Sequence, residues 1–153
     1  MPVLGLGRDP SRTPMQWDSS PNAGFCSPSA IPWLPVANDY KNFNVAIERE
    51  DPTSMLSLTR ALIHLRNTTP ALHSGTYYPI ENISGDCFAY LRQFDQQRYV
   101  ILLNFSGTEH TLALSSSQKA QIVISTHLDR EGAVDVTSLS LRANEGCIIQ
   151  LDE

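Results

Sequence analysis

The sequence has no apolar run near the roughly 18 residues that a membrane-crossing helix needs, so no membrane segment is read in it. Basic residues are scarce: 11 Lys and Arg stand against 16 Asp and Glu, a formal charge of −5 over 153 residues. That balance excludes the broad basic patch of a nucleic-acid partner. Cysteine is limited to Cys26, Cys87 and Cys147, an odd number at irregular spacing that makes no disulfide framework. Neither CxxC nor HxxxH spacing occurs, so no zinc site is expected. Cys87 and Cys147 lie in apolar runs and read as buried thiols, consistent with a reducing compartment. Met1–Gly7 has neither a basic stretch nor a long apolar core, so no signal peptide is expected there. GxSxG, P-loop and GxGxxG motifs are missing, as is any repeat at solenoid period. Three glycosylation sequons, at Asn67, Asn82 and Asn104, are short patterns that arise by chance.

Proline is abundant, but on one side. Seven of the ten prolines fall in residues 1–50. Proline lacks a backbone donor and restricts the residue before it, so this half holds neither long helices nor central strands. Yet it carries Met15, Trp17, Phe25, Ile31, Trp33, Leu34, Tyr40 and Phe43. A disordered linker is poor in such residues. Residues 1–50 therefore read as an ordered irregular loop that lies on something else, because it cannot bury its own aromatics.

The remainder has regular periods. A helix is expected over 51–67, with Asp51 as cap, Pro52 in the first turn, and Met55, Leu58, Leu62 and Leu65 on one face. Short runs at 76–80, 87–94, 98–105, 110–114, 121–126, 138–142 and 146–151 read as strands, 76–80 as a proline-marked edge and 87–94 with 98–105 as a hairpin. Turn residues separate them, among them Glu131-Gly132 and Asn144-Glu145-Gly146. Such spacing argues for an antiparallel sandwich and a mostly β chain.

Self-contained catalytic sets are hard to find. Glu48, Glu50 and Asp51 cluster beside a helix start, where acids are ordinary dipole partners. His64 lacks a ligand partner one turn away and reads as a plain helix residue; His127-Leu128-Asp129 reads as a turn rather than a base with its orienter. The dense feature is Arg8-Asp9-Pro10-Ser11-Arg12-Thr13-Pro14-Met15-Gln16-Trp17-Asp18. Its forked arginine donors and flat tryptophan suit either a polyol site or a structural ion-pair knot.

That segment, followed by Asn22-Ala23-Gly24-Phe25, resembles the signature of α-glucosidases and oligo-1,6-glucosidases of the α-amylase superfamily. Pro32-Trp33-Leu34-Pro35, Asn44-Val45 and Asp51-Pro52-Thr53-Ser54-Met55-Leu56 resemble the approach to the family's last barrel helix, and Leu65-Arg66 with Pro70-Ala71-Leu72 its exit. Leu102, Asn104-Phe105-Ser106 and Glu145-Gly146 resemble the closing sandwich; Ser125-Thr126-His127-Leu128-Asp129-Arg130 looks like bacterial members. The resemblance implies that residues 1–68 are the last loop and helix of an (α/β)8 barrel and 69–153 a C-terminal β-sandwich. It implies retaining hydrolysis of terminal α-linked glucose, by two carboxyl groups about 5 Å apart. Those carboxylates lie upstream of the motif in the family, so no catalytic residue is assigned to this chain. Arg8 resembles the arginine that reaches glucose in subsite −1 and pairs with an upstream aspartate. Asp9, Arg12, Gln16, Trp17 and Asp18 occupy motif positions read as loop-shaping. The implied partners are an α-glucoside oligosaccharide and the missing barrel portion; no cofactor and no metal are implied here, and a cytoplasmic location is expected.

Two other readings compete. The sandwich is a non-catalytic carbohydrate-binding module if Tyr77, Tyr78, Tyr90, Phe94 or Tyr99 are exposed. It is an interaction subunit if it follows the animal amino-acid-transporter heavy chains, which have a related Met-Gln-Trp-Asp segment.

Overall fold

The computed structural model describes residues 8, 11–81, 83, 86–114 and 119–152. The chain divides into two compact units, Met1–Ser57 and Leu58–Glu153.

The first unit is irregular. Its regular pieces are a short 3-10 helix, Pro21–Gly24, then α1, Val45–Glu50, and the first turn of α2, Met55–Thr68. The six-residue α1 was not foreseen, because an apolar period needs more turns than it has. Its start is set by Asn44, which accepts from the Ile47 N–H at 3.0 Å and donates to the Tyr40 carbonyl at 2.8 Å. The expected helix over 51–67 is displaced at its start. Asp51 does not cap it; its carboxylate accepts from the N–H and hydroxyl of Thr53, a local turn that keeps Pro52 outside the helix. Ser54 takes the capping role, accepting from the Ser57 N–H at 3.1 Å while donating to the Glu48 carbonyl at 2.7 Å. Glu48 in turn accepts from the Leu56 N–H at 3.0 Å. Two acids at this helix start thus serve backbone donors.

In the second unit α2 runs on to Thr68, and Pro70 opens a further short helix, α3, Pro70–Ser74. Eight strands follow among the described residues: β1 Thr76–Pro79, β2 Cys87–Phe94, β3 Gln97–Asn104, β4 His110–Leu112, β5 Lys119–Ser125, β6 Gly132–Asp135, β7 Leu139–Leu141 and β8 Gly146–Leu151. One sheet has six strands in the order β1-β2-β3-β8-β5-β6; the other is β4-β7. All the pairings are antiparallel. The chain is mostly β, as expected, with β1 at an edge and β2–β3 as the hairpin, closed by a turn with Asp95 at φ 49°.

Alternation explains the layers. Val100 and Leu102 on β3, and Cys147, Ile149 and Leu151 on β8, point with Ala89, Ala120 and Ile122 toward Leu112, Leu139 and Leu141 of the second sheet, forming the main core. The intervening Tyr99 and Ile101 pack instead with Ala71 of α3. Strand β3 is therefore covered on both sides, which is why its sequence reads as an unbroken apolar run. In β5 the register shifts between Ile122 and Ile124, and this bulge turns Ser125 inward. Strand β6 was expected to be only a turn; it is a four-residue edge with little buried, so no alternation marks it. Cys147 is buried, but Cys87, at the open end of β2, is only half-buried. Asn104 is buried, its amide donating to Thr108, Leu141 and Arg142 carbonyls, which leaves that sequon no free nitrogen. Among the described residues no helix is long and apolar enough to cross a membrane.

Leu102 is fully buried at the centre of the main core. Leu102→Ala is expected to destabilise the sandwich by about 3 kcal/mol, whereas Phe105→Ala, at an exposed loop, should change stability by no more than about 0.5 kcal/mol. Urea titration followed by circular dichroism measures both.

Candidate functional site

The motif segment is built by side-chain amides. Gln16 donates from Nε2 to the Phe43 carbonyl at 2.7 Å and to Asp39 at 3.3 Å. The carbonyls of Gln16 and Trp17 accept from the Val45 and Ala46 N–H groups at 3.0 Å. The unpaired amides at the start of α1 are thus satisfied by the motif segment itself. Trp17 and Asp18 both donate their N–H to the Ala23 carbonyl, and Asn22 donates to the carbonyls of Ser27 and Ala30. This closes a tight reversal in which Asn22, Ala23 and Gly24 all have positive φ. Gly24 is required there twice over: its φ is 66°, and a Cβ would come within 2.7 Å of the Asp18 carboxylate. Asp18 accepts from the N–H and hydroxyl of Ser20, which holds its carboxyl below the usual range.

Arg8 is exposed, its carbonyl accepting from the N–H and hydroxyl of Ser11 at 3.1 and 2.8 Å. Among the described residues the guanidinium groups of Arg8 and Arg12 make no hydrogen bond or ion pair. The structural ion-pair knot that residue types alone allowed is therefore not formed by these arginines within the described residues. Asp9 lies outside the described residues. Arg12 borders a shallow cleft of about 370 Å³ together with Met15, Phe25 and Trp33. Trp33 is 92 % exposed and Ile31 96 %.

A true ion-pair knot exists in the second unit, among residues whose sequence reads as turns and, at Arg142, as the end of a strand. Glu145 has no exposed side-chain surface, and its carboxylate takes Arg130 at 2.8 Å and Arg142 at 2.6 Å. Arg142 also grips Asp129 through two parallel contacts of 2.7 Å. The other contacts of Arg130 are the Ser140 carbonyl at 3.0 Å and Cys147 Sγ at 3.2 Å. Burial alone pushes the Glu145 carboxyl up, but the Arg142 hydrogen bonds and both arginine charges outweigh it, and the net direction is down. The Arg142 hydrogen bonds hold Asp129 at about 2. His127, Asp129 and Glu145 place possible ligand atoms within 4.8 Å of one another. Both carboxylates already face a guanidinium, so a cation there meets two positive neighbours. Glu145-Gly146 was legible as a motif of the closing sandwich, but a glutamate between Asn144 and Gly146 reads as a polar turn, and nothing in the sequence pairs it with Arg130 and Arg142.

The comparisons fit this picture. Residues 3–75 match the α-amylase catalytic-domain family. Trehalose-6-phosphate hydrolase of Bacillus subtilis is 34 % identical over 94 % of this chain and 26 % of its own length. Oligo-1,6-glucosidase of Parageobacillus thermoglucosidasius is 32 % identical over 95 % and 26 %. The crystal structure of trehalulose synthase from Pseudomonas mesoacidophila superposes on 95 % of this chain and 26 % of that one, at 35 % identity and a TM-score of 0.84. The chain thus spans about a quarter of the length of these relatives, and its strands match their C-terminal part.

The knot makes a pH prediction. Asp129 is depressed in the folded state, so its stabilisation is complete above about pH 4 and is lost as pH falls toward 2. The urea midpoint of the parent should fall more steeply over that window than that of Asp129→Asn. Glu145→Gln should cost about 3 kcal/mol at neutral pH, because two guanidinium groups lose their buried counter-charge. Urea titrations at stepped pH read both effects.

Proposed function

From the chain's place in the α-amylase superfamily, to which it belongs, we propose that it is the C-terminal part of an α-glucosidase that releases terminal α-linked glucose from maltose- or isomaltose-type oligosaccharides with retention of configuration. In this reading residues 1–68 complete the barrel and 69–153 form the closing sandwich. The supporting observation is Arg8: it opens the motif, it is exposed, and among the described residues its planar fork of donors is uncommitted. Two parallel donors match a pair of vicinal sugar hydroxyls, or a carboxylate that itself borders the sugar. Gln16 and Asp18 are fixed by backbone partners and shape the loop that presents it. Trp17 contributes to that loop chiefly through its backbone. Arg12 stands in the same segment, also uncommitted among the described residues.

The chemistry of retention needs a nucleophilic carboxylate and an acid/base carboxyl that flank one glycosidic bond. The acids at the start of α2 do not make that pair: Glu48 and Asp51 are engaged with backbone N–H groups. Asp18 is held by Ser20 and lies against Gly24. In this reading the catalytic pair belongs to the part of the relatives that this chain does not span. The same reading places the protein in the cytoplasm.

The chain alone is expected to show no turnover of p-nitrophenyl α-glucoside above a mock preparation. Joined in frame to the barrel portion of an oligo-1,6-glucosidase, it should restore hydrolysis. In that fusion Arg8→Ala should lower kcat/KM by roughly a hundredfold, the loss of one or two charge-assisted hydrogen bonds. Turnover by the chain alone, or an Arg8→Ala fusion as active as its parent, would overturn this reading.

A further inference from the structure

Near the start of β3 a charge stands on the core side of the sheet. Arg98 alternates with Val100 and Leu102, so it shares the face that carries the main core, at the end of β3 away from Glu145. Its register partners are Gln93 on β2 and Leu151 on β8. One row further in, Tyr78, Leu91 and Val100 lie side by side across β1, β2 and β3.

A cavity of about 490 Å³ opens at this end of the sandwich. Its walls are aliphatic: Ile80, Ile83, Leu91, Val100, Leu114 and Leu151. Among the described residues, polar side chains reach it only from Tyr78, Glu81 and Arg98. Arg98 is half-buried, and its guanidinium makes no hydrogen bond or ion pair among the described residues. The Tyr78 hydroxyl is uncommitted in the same sense. Glu81 is exposed and does not pair with Arg98. A volume of this size falls within the roughly 300–1,000 Å³ of small-ligand sites, which join an apolar lining to a few converging polar groups.

We propose that this cavity is a binding site for a medium-chain aliphatic carboxylate, with its chain on the aliphatic walls and its carboxylate on Arg98 and the Tyr78 hydroxyl. Charge selects the head group. A guanidinium drawn partly out of water against aliphatic walls calls for a counter-charge, and its parallel donors match a carboxylate. One cation with Glu81 close by suits a single negative charge better than the nearly double charge of a phosphate. The lining selects the body. A sugar needs several donors and acceptors around it, whereas the six wall residues offer none from their side chains. The inference goes beyond the functional reading above and does not rest on it.

Isothermal titration calorimetry of the full chain with hexanoate, octanoate and decanoate, each below its micelle concentration, is the test. One saturable site per chain is expected. Affinity should rise about fourfold per added methylene, the effect of burying each one. Arg98→Met, which keeps an apolar stem and removes the charge, should weaken octanoate by about tenfold or more and leave octanol unaffected. Arg66→Met, which removes a cation of α2 outside this cavity, should bind octanoate like the parent. Circular dichroism checks that each variant is folded. The chain-length series on the parent stands without any variant. No saturable binding by the parent, or an affinity that does not grow with chain length, would overturn the proposal. So would octanoate binding that Arg98→Met leaves intact, or that Arg66→Met weakens as much.

Discussion

One carboxylate holds the end of the sandwich. Glu145 sits where water does not reach, and a charge there is tolerable only because Arg130 and Arg142 meet it from two sides. Each arginine brings a different piece of chain. Arg130 ties the turn after β5 to β7 through Ser140 and to β8 through Cys147. Arg142 ties the end of β7 to the same turn through Asp129. Asn104 binds β3 to the carbonyls of Leu141 and Arg142 close by. Both sheets of the sandwich are thus joined at one end by hydrogen bonds with defined geometry, and the apolar core fills the space between them. The first unit uses neutral amides instead. Gln16, Asn22 and Asn44 each commit a side chain to backbone carbonyls, Gln16 to one far along the chain, the device that lets a proline-rich segment keep one shape without a core of its own.

Legibility followed burial. Strand β3 and its partners were readable because each has enough residues for a period to appear, and because Asp95-Gln96 is a short polar break between two apolar runs. The elements that escaped are brief. Helices α1 and α3 have six and five residues, and β6 has four, all below the length at which amphipathic spacing becomes visible. Asp51-Pro52 imitated a helix start because Asp51 and Ser54 both offer an acceptor; the hydroxyl of Ser54 takes the Ser57 N–H, while Asp51 is held by Thr53. The ion-pair chemistry was sought at Arg8 and Arg12 and found at Arg130, Arg142 and Glu145. Residue types alone do not say which charges fold together when, as for Arg130 with Glu145 and Arg142 with Asp129, the partners are over a dozen residues apart.

The uncommitted arginines share a meaning. In the sandwich, charge is paired wherever it is buried. Arg8 and Arg12 in the motif, and Arg66 on the helix, have no such pairing among the described residues, and all three are exposed. Exposed apolar groups accompany them, Trp33 and Ile31 in the first unit and Ile63 on α2. In the proposed enzyme the free guanidinium of Arg8 meets the substrate.

The central claim is that this chain is the C-terminal part of a glycosidase whose reacting carboxylates precede it in the same polypeptide. Determining the genomic sequence immediately 5′ of the Met1 codon tests it most directly. The account predicts an open reading frame continuous with this one, encoding the barrel and its two paired carboxylates. An in-frame stop just upstream, with a functional start at Met1, would contradict it.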